Sequence, residues 1–298
     1  MEYTYYICDV FTKTKFSGNQ LVVFPHAKGL SDFQMQRIAK EFNFSEATFV
    51  FPPERGNTRK VRIYTPTTEV PFAGHPNIGT AFVLATHGTF GDLSESVSVV
   101  FEEKAGLVRI RIQKDDSGDI WCELAAPEEL SIGVAVNKNL VASVLSLNES
   151  EILTTTHSPR VASVGLPFLF VDLPSDNILK KARVNIPLLE TLLEESKVSY
   201  IHIYCRDVGN FDIKARMFAP LDGVFEDPAT GSANCALIAL LTHLDPNENL
   251  SKDWVISQGT EVGRPSVIYG RSQKRNGELT GVWIGGNSVL VSEGILNI

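Results

Sequence analysis

Three short stretches of this chain join titratable side chains to residues that turn or open a helix. They are Gly74-His75-Pro76-Asn77-Ile78-Gly79-Thr80-Ala81, Glu226-Asp227-Pro228-Ala229-Thr230-Gly231-Ser232-Ala233, and Asn43-Phe44-Ser45-Glu46-Ala47-Thr48-Phe49-Val50. Proline is favoured at the first helical position and the residue before it serves as cap, so His75 and Asp227 read as N-caps of two helices. For Asp227 taken alone, a good Asp-Pro cap suffices as the explanation. Histidine is a poor cap, which points His75 toward chemistry, and titratable caps on both helices point the pair toward function. A helix start presents unpaired N–H groups and partial positive charge, a site for a carboxylate. Gly231 would let backbone approach a ligand closely, and Ser232 and Thr80 would add hydroxyl donors. Glu46 lies between Phe44 and an apolar strand, where desolvation raises a carboxyl pKa toward the range useful for acid–base work. Taken locally, a helix-to-strand corner in which Ser45 and Glu46 bond backbone groups explains the stretch equally well.

The elements that must position these residues form a repeat. Ser31 caps a helix expected over Asp32–Phe42, followed by strand candidates at Ala47–Phe51 and Lys60–Thr65. Val61-Arg62-Ile63-Tyr64-Thr65-Pro66, a loop and His75-Pro76-Asn77-Ile78-Gly79-Thr80-Ala81 run parallel to Ala215-Arg216-Met217-Phe218-Ala219-Pro220, a loop and Asp227-Pro228-Ala229-Thr230-Gly231-Ser232-Ala233. This alignment equates His75 with Asp227 and Gly79 with Gly231. Gly18-Asn19-Gln20 echoes Gly165-Leu166-Pro167, and Glu103-Lys104-Ala105-Gly106 echoes Glu261-Val262-Gly263. Ile78–Ala85 and Ala233–Leu241 are apolar or small on every side, so each helix should be buried all round. The expectation is an α+β chain of two similar halves, 1–128 and 129–298, each a barrel-like sheet around a central helix. The two helix starts would then face one cleft, and the last strand could pack on the first half.

Composition narrows the classes. The 298 residues carry 27 Lys+Arg against 35 Asp+Glu, a net charge of −8, which argues against nucleic-acid or anionic-membrane partners. The longest apolar run, Ala236–Leu241, is too short to span a bilayer, and Met1–Tyr6 lacks a signal-peptide pattern. Four dispersed cysteines form no disulfide framework, and the histidines show no metal-ligand spacing. A metal-free cytoplasmic protein acting on a small anionic molecule is expected. Lys114–Asp119, superficially a calcium loop, reads as a polar hairpin turn, as does Asn276-Gly277.

Together, Glu46 in Asn-Phe-Ser-Glu-Ala-Thr-Phe-Val, Gly74–Ala81 and Glu226–Ala233 resemble the PhzF-like phenazine-biosynthesis family. Gly18-Asn19, Gln258-Gly259 and Gly263-Arg264-Pro265-Ser266 fit as well, so the resemblance spans nearly the whole chain. It implies a diaminopimelate-epimerase-like fold, isomerisation by proton shift without a cofactor, and homodimers. The family's phenazine member isomerises trans-2,3-dihydro-3-hydroxyanthranilate. Carried over by motif, Glu46 is the acid–base residue, His75, Asp227 and Gly74 contact substrate, and Gly231 and Ser232 anchor its carboxylate. Two positions depart from the pattern: Gln20 replaces a common Pro, and Asn77 replaces a common Thr, which could alter which substrate fits. Related epimerases and racemases place a Cys before each central helix. Here the first half reads Ala73-Gly74-His75, and Cys235 falls inside the second helix, which disfavours a two-thiol racemase. A binding or scaffold protein that kept the fold without turnover is the alternative from another class.

Overall fold

The computed structural model describes residues 1–298 and divides into two compact units, Met1–Ala125 with Gly285–Ile298, and Ala126–Ile284. Along the chain, the first unit holds β1 (Glu2–Val10), β2 (Asn19–Phe24), α1 (Asp32–Phe42), β3 (Glu46–Phe51), β4 (Arg59–Tyr64), β5 (Glu69–Val70), α2 (Gly74–Thr86), β6 (Val97–Glu103), β7 (Gly106–Lys114) and β8 (Ile120–Ala125). Then follow β9 (Ser131–Ala135), α3 (Lys138–Val144), β10 (Arg160–Ser163), β11 (Pro167–Asp172), α4 (Asp176–Lys181) and α5 (Leu189–Ser196). The chain ends with β12 (Ile201–Val208), β13 (Phe211–Ala219), β14 (Val224–Asp227), α6 (Gly231–Leu244), β15 (Leu250–Gln258), β16 (Ser266–Arg275) and the long β17 (Glu278–Asn297).

In the first unit β1, β2, β3, β4, β6, β7, β8 and β17 pair in that order, and β17 returns to β1, closing an eight-stranded barrel. Alternation along the strands sorts side chains to two faces. Val22, Phe24, Ala47 and Phe49 face outward under α1, where Met35, Ile38 and Ala39 cover them. Thr48 faces the other way and accepts from the Thr80 hydroxyl of α2 at 2.9 Å. Glu46, two residues earlier, shares that inward face. Ser31 caps α1 through a capping box with Gln34, and Asn43 ends it at φ 53°, a left-handed turn that an asparagine tolerates. That stop places Glu46 at the first position of β3, opposite Leu21 of β2.

The second unit repeats the pairing senses. Antiparallel β10–β11, parallel β11–β12, antiparallel β12–β13, parallel β13–β15 and antiparallel β15–β16 match β1–β2, β2–β3, β3–β4, β4–β6 and β6–β7. Here α3, α4 and α5 cover the outer face with Val141, Leu145, Leu179, Leu189 and Leu192 over Leu169, Val171, Ile201 and Ile203. Both central helices are buried along almost their whole length, Gly74–Ala85 in α2 and most of Gly231–Thr242 in α6. Gly79 lets α2 lie on β1 and β2: a Cβ there would stand 2.6 Å from Leu21 Cδ2 and 2.7 Å from Val10 Cγ2.

The register of the repeat differs from the one read from sequence. The N-caps are Ala73 and Thr230, not His75 and Asp227. His75 is the second residue of α2, and Asp227 closes β14, three residues before the helix cap. Two side-chain arrangements fix the true correspondence. Arg62 grips Glu69 through Nε and Nη2 at 2.8 and 2.9 Å while lying over Tyr64; Arg216 grips Glu226 through the same atoms at 2.8 Å while lying over Phe218. Inside the helices, Asn77 Nδ2 donates to the Ala73 carbonyl at 2.9 Å and Asn234 Nδ2 to that of Thr230 at 3.0 Å. Glu69, Pro71, Gly74 and Asn77 therefore match Glu226, Pro228, Gly231 and Asn234. His75 matches Ser232.

Candidate functional site

The first-unit cluster is built on the start of α2 and the ends of β2 and β3. His75 is 4% exposed, and its Nε2 lies 3.5 Å from Glu46 Oε2. Its Nδ1 faces Asn19 Nδ2 at 3.3 Å, and the Gln20 backbone also hydrogen-bonds the ring. Burial pushes the His75 pKa down to about 3, so the ring is neutral at physiological pH. The Glu46–His75 contact is thus a neutral imidazole beside a carboxyl group, not an ion pair. The Glu46 side chain keeps about a fifth of its surface exposed while its Oε2 is buried, so the carboxyl is largely desolvated and still reachable. Gly74 is buried directly before His75. The β1–β2 loop that delivers Asn19 bends through left-handed Phe11, Phe16 and Gly18, and Asp9 accepts from the Phe16 N–H at 2.6 Å.

In the second unit, Asp227 is buried at the corner leading into α6. Its Oδ2 accepts from the Thr230 hydroxyl at 2.6 Å. Gln258 locks this corner: Oε1 accepts from Thr230 N at 3.2 Å and Asn234 Nδ2 at 2.8 Å, and Nε2 donates to the Asp227 carbonyl at 2.8 Å and Thr230 Oγ1 at 3.0 Å. Gly259, at φ 82°, passes so close to the Pro228 and Arg264 carbonyls that a Cβ would stand 2.3 and 2.4 Å from them; Ser266 donates to both carbonyls. The stretch Gln258–Ser266 thus serves to hold the Asp227 corner. The first intrahelical bond of α6 runs from Asn234 N to Thr230 O, leaving the N–H groups of Gly231, Ser232 and Ala233 without partners inside the helix. That turn can receive a carboxylate.

Several expected site features sit elsewhere. Thr80 is fully buried in the second turn of α2 and bonds Thr48, so its hydroxyl is no ligand donor. Asn77 is fully buried in the first turn of α2, where its side chain donates to the Ala73 carbonyl. The echo of Glu103 with Glu261 also fails: β4–β6 and β13–β15 place Glu103 level with Gln258. Cys235 lies buried within α6, and burial pushes its thiol up to about 12, so it offers no thiolate near neutrality. Asn19, Thr230, Asn234 and Gln258 are polar partners of the site to which the sequence reading gave no role. Of these, Asn234 repeats in the correct register, as the match of Asn77. No three His, Cys, Asp or Glu residues are grouped to hold a metal ion, and no helix is long and apolar enough to cross a membrane.

A profile of the PhzC-PhzF family, described as phenazine biosynthesis-like protein, matches residues 8–294. An uncharacterized isomerase of Mesorhizobium japonicum is 35% identical over 99% of this chain and 98% of its own. The trans-2,3-dihydro-3-hydroxyanthranilate isomerase of Pseudomonas fluorescens is 31% identical over 99% of both chains. Among solved structures, a phenazine biosynthesis protein of the PhzF family from Bacillus anthracis superposes with a TM-score of 0.87 at 23% identity over 100% of both chains. A hydroxyproline epimerase from Agrobacterium vitis shares the fold at a TM-score of 0.64 and 14% identity, over 99% of this chain and 92% of its own.

Proposed function

This chain belongs to the PhzC-PhzF family of phenazine biosynthesis-like proteins, and from that premise we propose that it is a cofactor-independent isomerase. Glu46 would take a proton from one carbon of a small carboxylate-bearing substrate and return it to another, so that product and substrate share one formula. The observation that carries this reading is the Glu46–His75 contact at 3.5 Å on the inward face of the first barrel. A proton shift needs a group that both removes and returns the proton, and a carboxyl that is mostly buried yet still reachable is the group here that could do both. His75, neutral and held by Asn19, orients the carboxyl and offers one N–H and one lone pair. The Gly231 and Ser232 N–H groups receive the carboxylate, and Asp227, fixed by Thr230, binds a substrate amine or hydroxyl. Gly74 and His75 complete the substrate contacts. An amino-acid racemase working through two thiols is disfavoured, because Cys235 is protonated and its first-unit counterpart is Ile78.

The test is incubation of the purified protein with trans-2,3-dihydro-3-hydroxyanthranilate in D₂O, followed by proton NMR. Isomerisation, or exchange at a carbon-bound position that vanishes in Glu46→Gln, supports the reading. Exchange that persists undiminished in that variant overturns Glu46 as the acid–base group. Binding with neither turnover nor exchange, for this compound and a panel of cyclic carboxylates, favours the non-catalytic alternative. The homodimer and the cytoplasmic setting belong to the same proposal, and light scattering on the eluting protein reads the first.

A further inference from the structure

Of the buried carboxyls of the first unit that the proposed chemistry leaves unused, Asp9 and Glu102 are bound by backbone N–H groups and Glu103 is not. It ends β6 at 9% exposure, and neither of its oxygens has a well-formed hydrogen bond. Its surroundings are defined by the repeat. Lys60 pairs with Glu102 as Lys214 pairs with Ser257, and each lysine precedes by two the arginine that grips a glutamate. Glu103 is therefore the counterpart of Gln258. An amide at that position works in the second unit because it both accepts, from Thr230 N and Asn234 Nδ2, and donates, to the Asp227 carbonyl. A carboxylate could only accept. A carboxylic acid could do both.

We propose that Glu103 is a positioning residue that acts as a neutral carboxylic acid in the place of an amide, its carbonyl oxygen accepting from Asn77 and its hydroxyl donating to the Val70 carbonyl, and so holds the first turn of α2 that carries His75. Val70 is the match of Asp227 in this correspondence, and Asn77 the match of Asn234. The Asn77 side chain is the single polar group that bears on the Glu103 carboxyl. The charged groups around it are already matched: Glu69 of β5 is held by Arg62 of β4 and by Lys104, and Glu102 faces the 54–57 loop, whose N–H groups it binds. From β7 the register partner is Gly106, and from α2 the nearest titratable group is the neutral His75. Of the other cations lining the same cavity as Glu103, Lys60 is held by Glu54 and Arg55 is exposed, and no salt bridge joins any of them to Glu103. Burial accordingly pushes its pKa up to about 8.

The role of the α2 turn in catalysis rests on the proposed reading of His75, so the test separates folding from activity. Unfolding is measured from pH 5 to 9.5 for wild type, Glu103→Gln and Glu103→Ala. A folded-state pKa raised above the ordinary 4.5 means that stability is present at low pH and lost as pH rises toward 8. The folded-to-unfolded ratio of wild type should fall against Glu103→Gln by up to about tenfold per pH unit through that window, then run parallel above it. Glu103→Gln should keep the wild-type His75 ring signals in the NMR spectrum, and Glu103→Ala should shift them. Parallel stability curves for wild type and Glu103→Gln, or a wild type that gains on Glu103→Gln as pH rises, would overturn the proposal. So would wild-type His75 signals in Glu103→Ala. Turnover retained in Glu103→Ala with these folding and NMR results intact would instead count against the role given to His75.

Discussion

Replacing Glu46 by Gln keeps the length of the side chain and removes the one group proposed to carry the proton. The structure sets what each neighbour could supply in its place. His75 sits 3.5 Å away, but its pKa of about 3 leaves it charged in only about one molecule in 10⁴ at pH 7. Used as the acid it would add about four decades, or roughly 5 kcal/mol, to the barrier. Histidine cannot stand in for the carboxyl. Loss of a general acid–base group costs about 10²–10⁴ in rate, or about 3–5.5 kcal/mol, and the upper end applies where one group makes both transfers. Stability should move by less than about 1 kcal/mol, since the side chain is a fifth exposed at the strand start. Glu46→Asp draws the carboxyl back by about 1.5 Å, the length of one bond, beyond direct reach of the ring, and should fall between wild type and Gln. The assay is kcat/KM and deuterium incorporation at matched pH, with urea unfolding as the control for fold. A folded Glu46→Gln within tenfold of wild type refutes the reasoning, because neither the neutral His75 ring nor the Asn19 amide that faces it can make up the difference.

Other changes discriminate between packing and chemistry. Gly79→Ala should lower stability, because overpacking against Leu21 and Val10 costs about 1–3 kcal/mol and outweighs the gain of about 1 kcal/mol from helix propensity; a shift in the urea midpoint reads it. Glu226→Gln should cost about 3–5 kcal/mol by leaving Arg216 buried and unpaired, and the more exposed Glu69→Gln should cost clearly less; equal losses would deny the difference in burial. Ser232→Ala should weaken substrate or carboxylate binding, seen as a raised KM, with an unchanged urea midpoint, since it removes a hydroxyl at the α6 start and leaves the N–H groups in place.

The architecture was legible because burial writes a strong pattern. Two helices with no polar face, Ile78–Ala85 and Ala233–Leu241, require a sheet on every side, and the paired Arg-x-aromatic strands require that this happen twice. Glu46 and His75 were legible as titratable residues at an element start, and the structure brings them together on one inward face. The register was not. Matching Gly79-Thr80-Ala81 to Gly231-Ser232-Ala233 aligned small residues, and a helix packed inside a barrel needs small residues at several turns for close approach alone, as Gly79 shows. The signal with positional meaning was sparser: Glu-x-Pro-x-x-Gly-x-x-Asn from Glu69 to Asn77, and again from Glu226 to Asn234. Each of its members has a geometric duty that no substitute of similar size fulfils. The glutamate takes a two-pronged arginine, and the asparagine bonds the carbonyl four residues back. Polar residues that must satisfy a buried partner keep their spacing, whereas small residues that only avoid a clash recur wherever space is short. The same logic explains why Glu103 went unread as the counterpart of Gln258: the two differ in chemistry until the acid is allowed its proton, and only the strand register places them in one position.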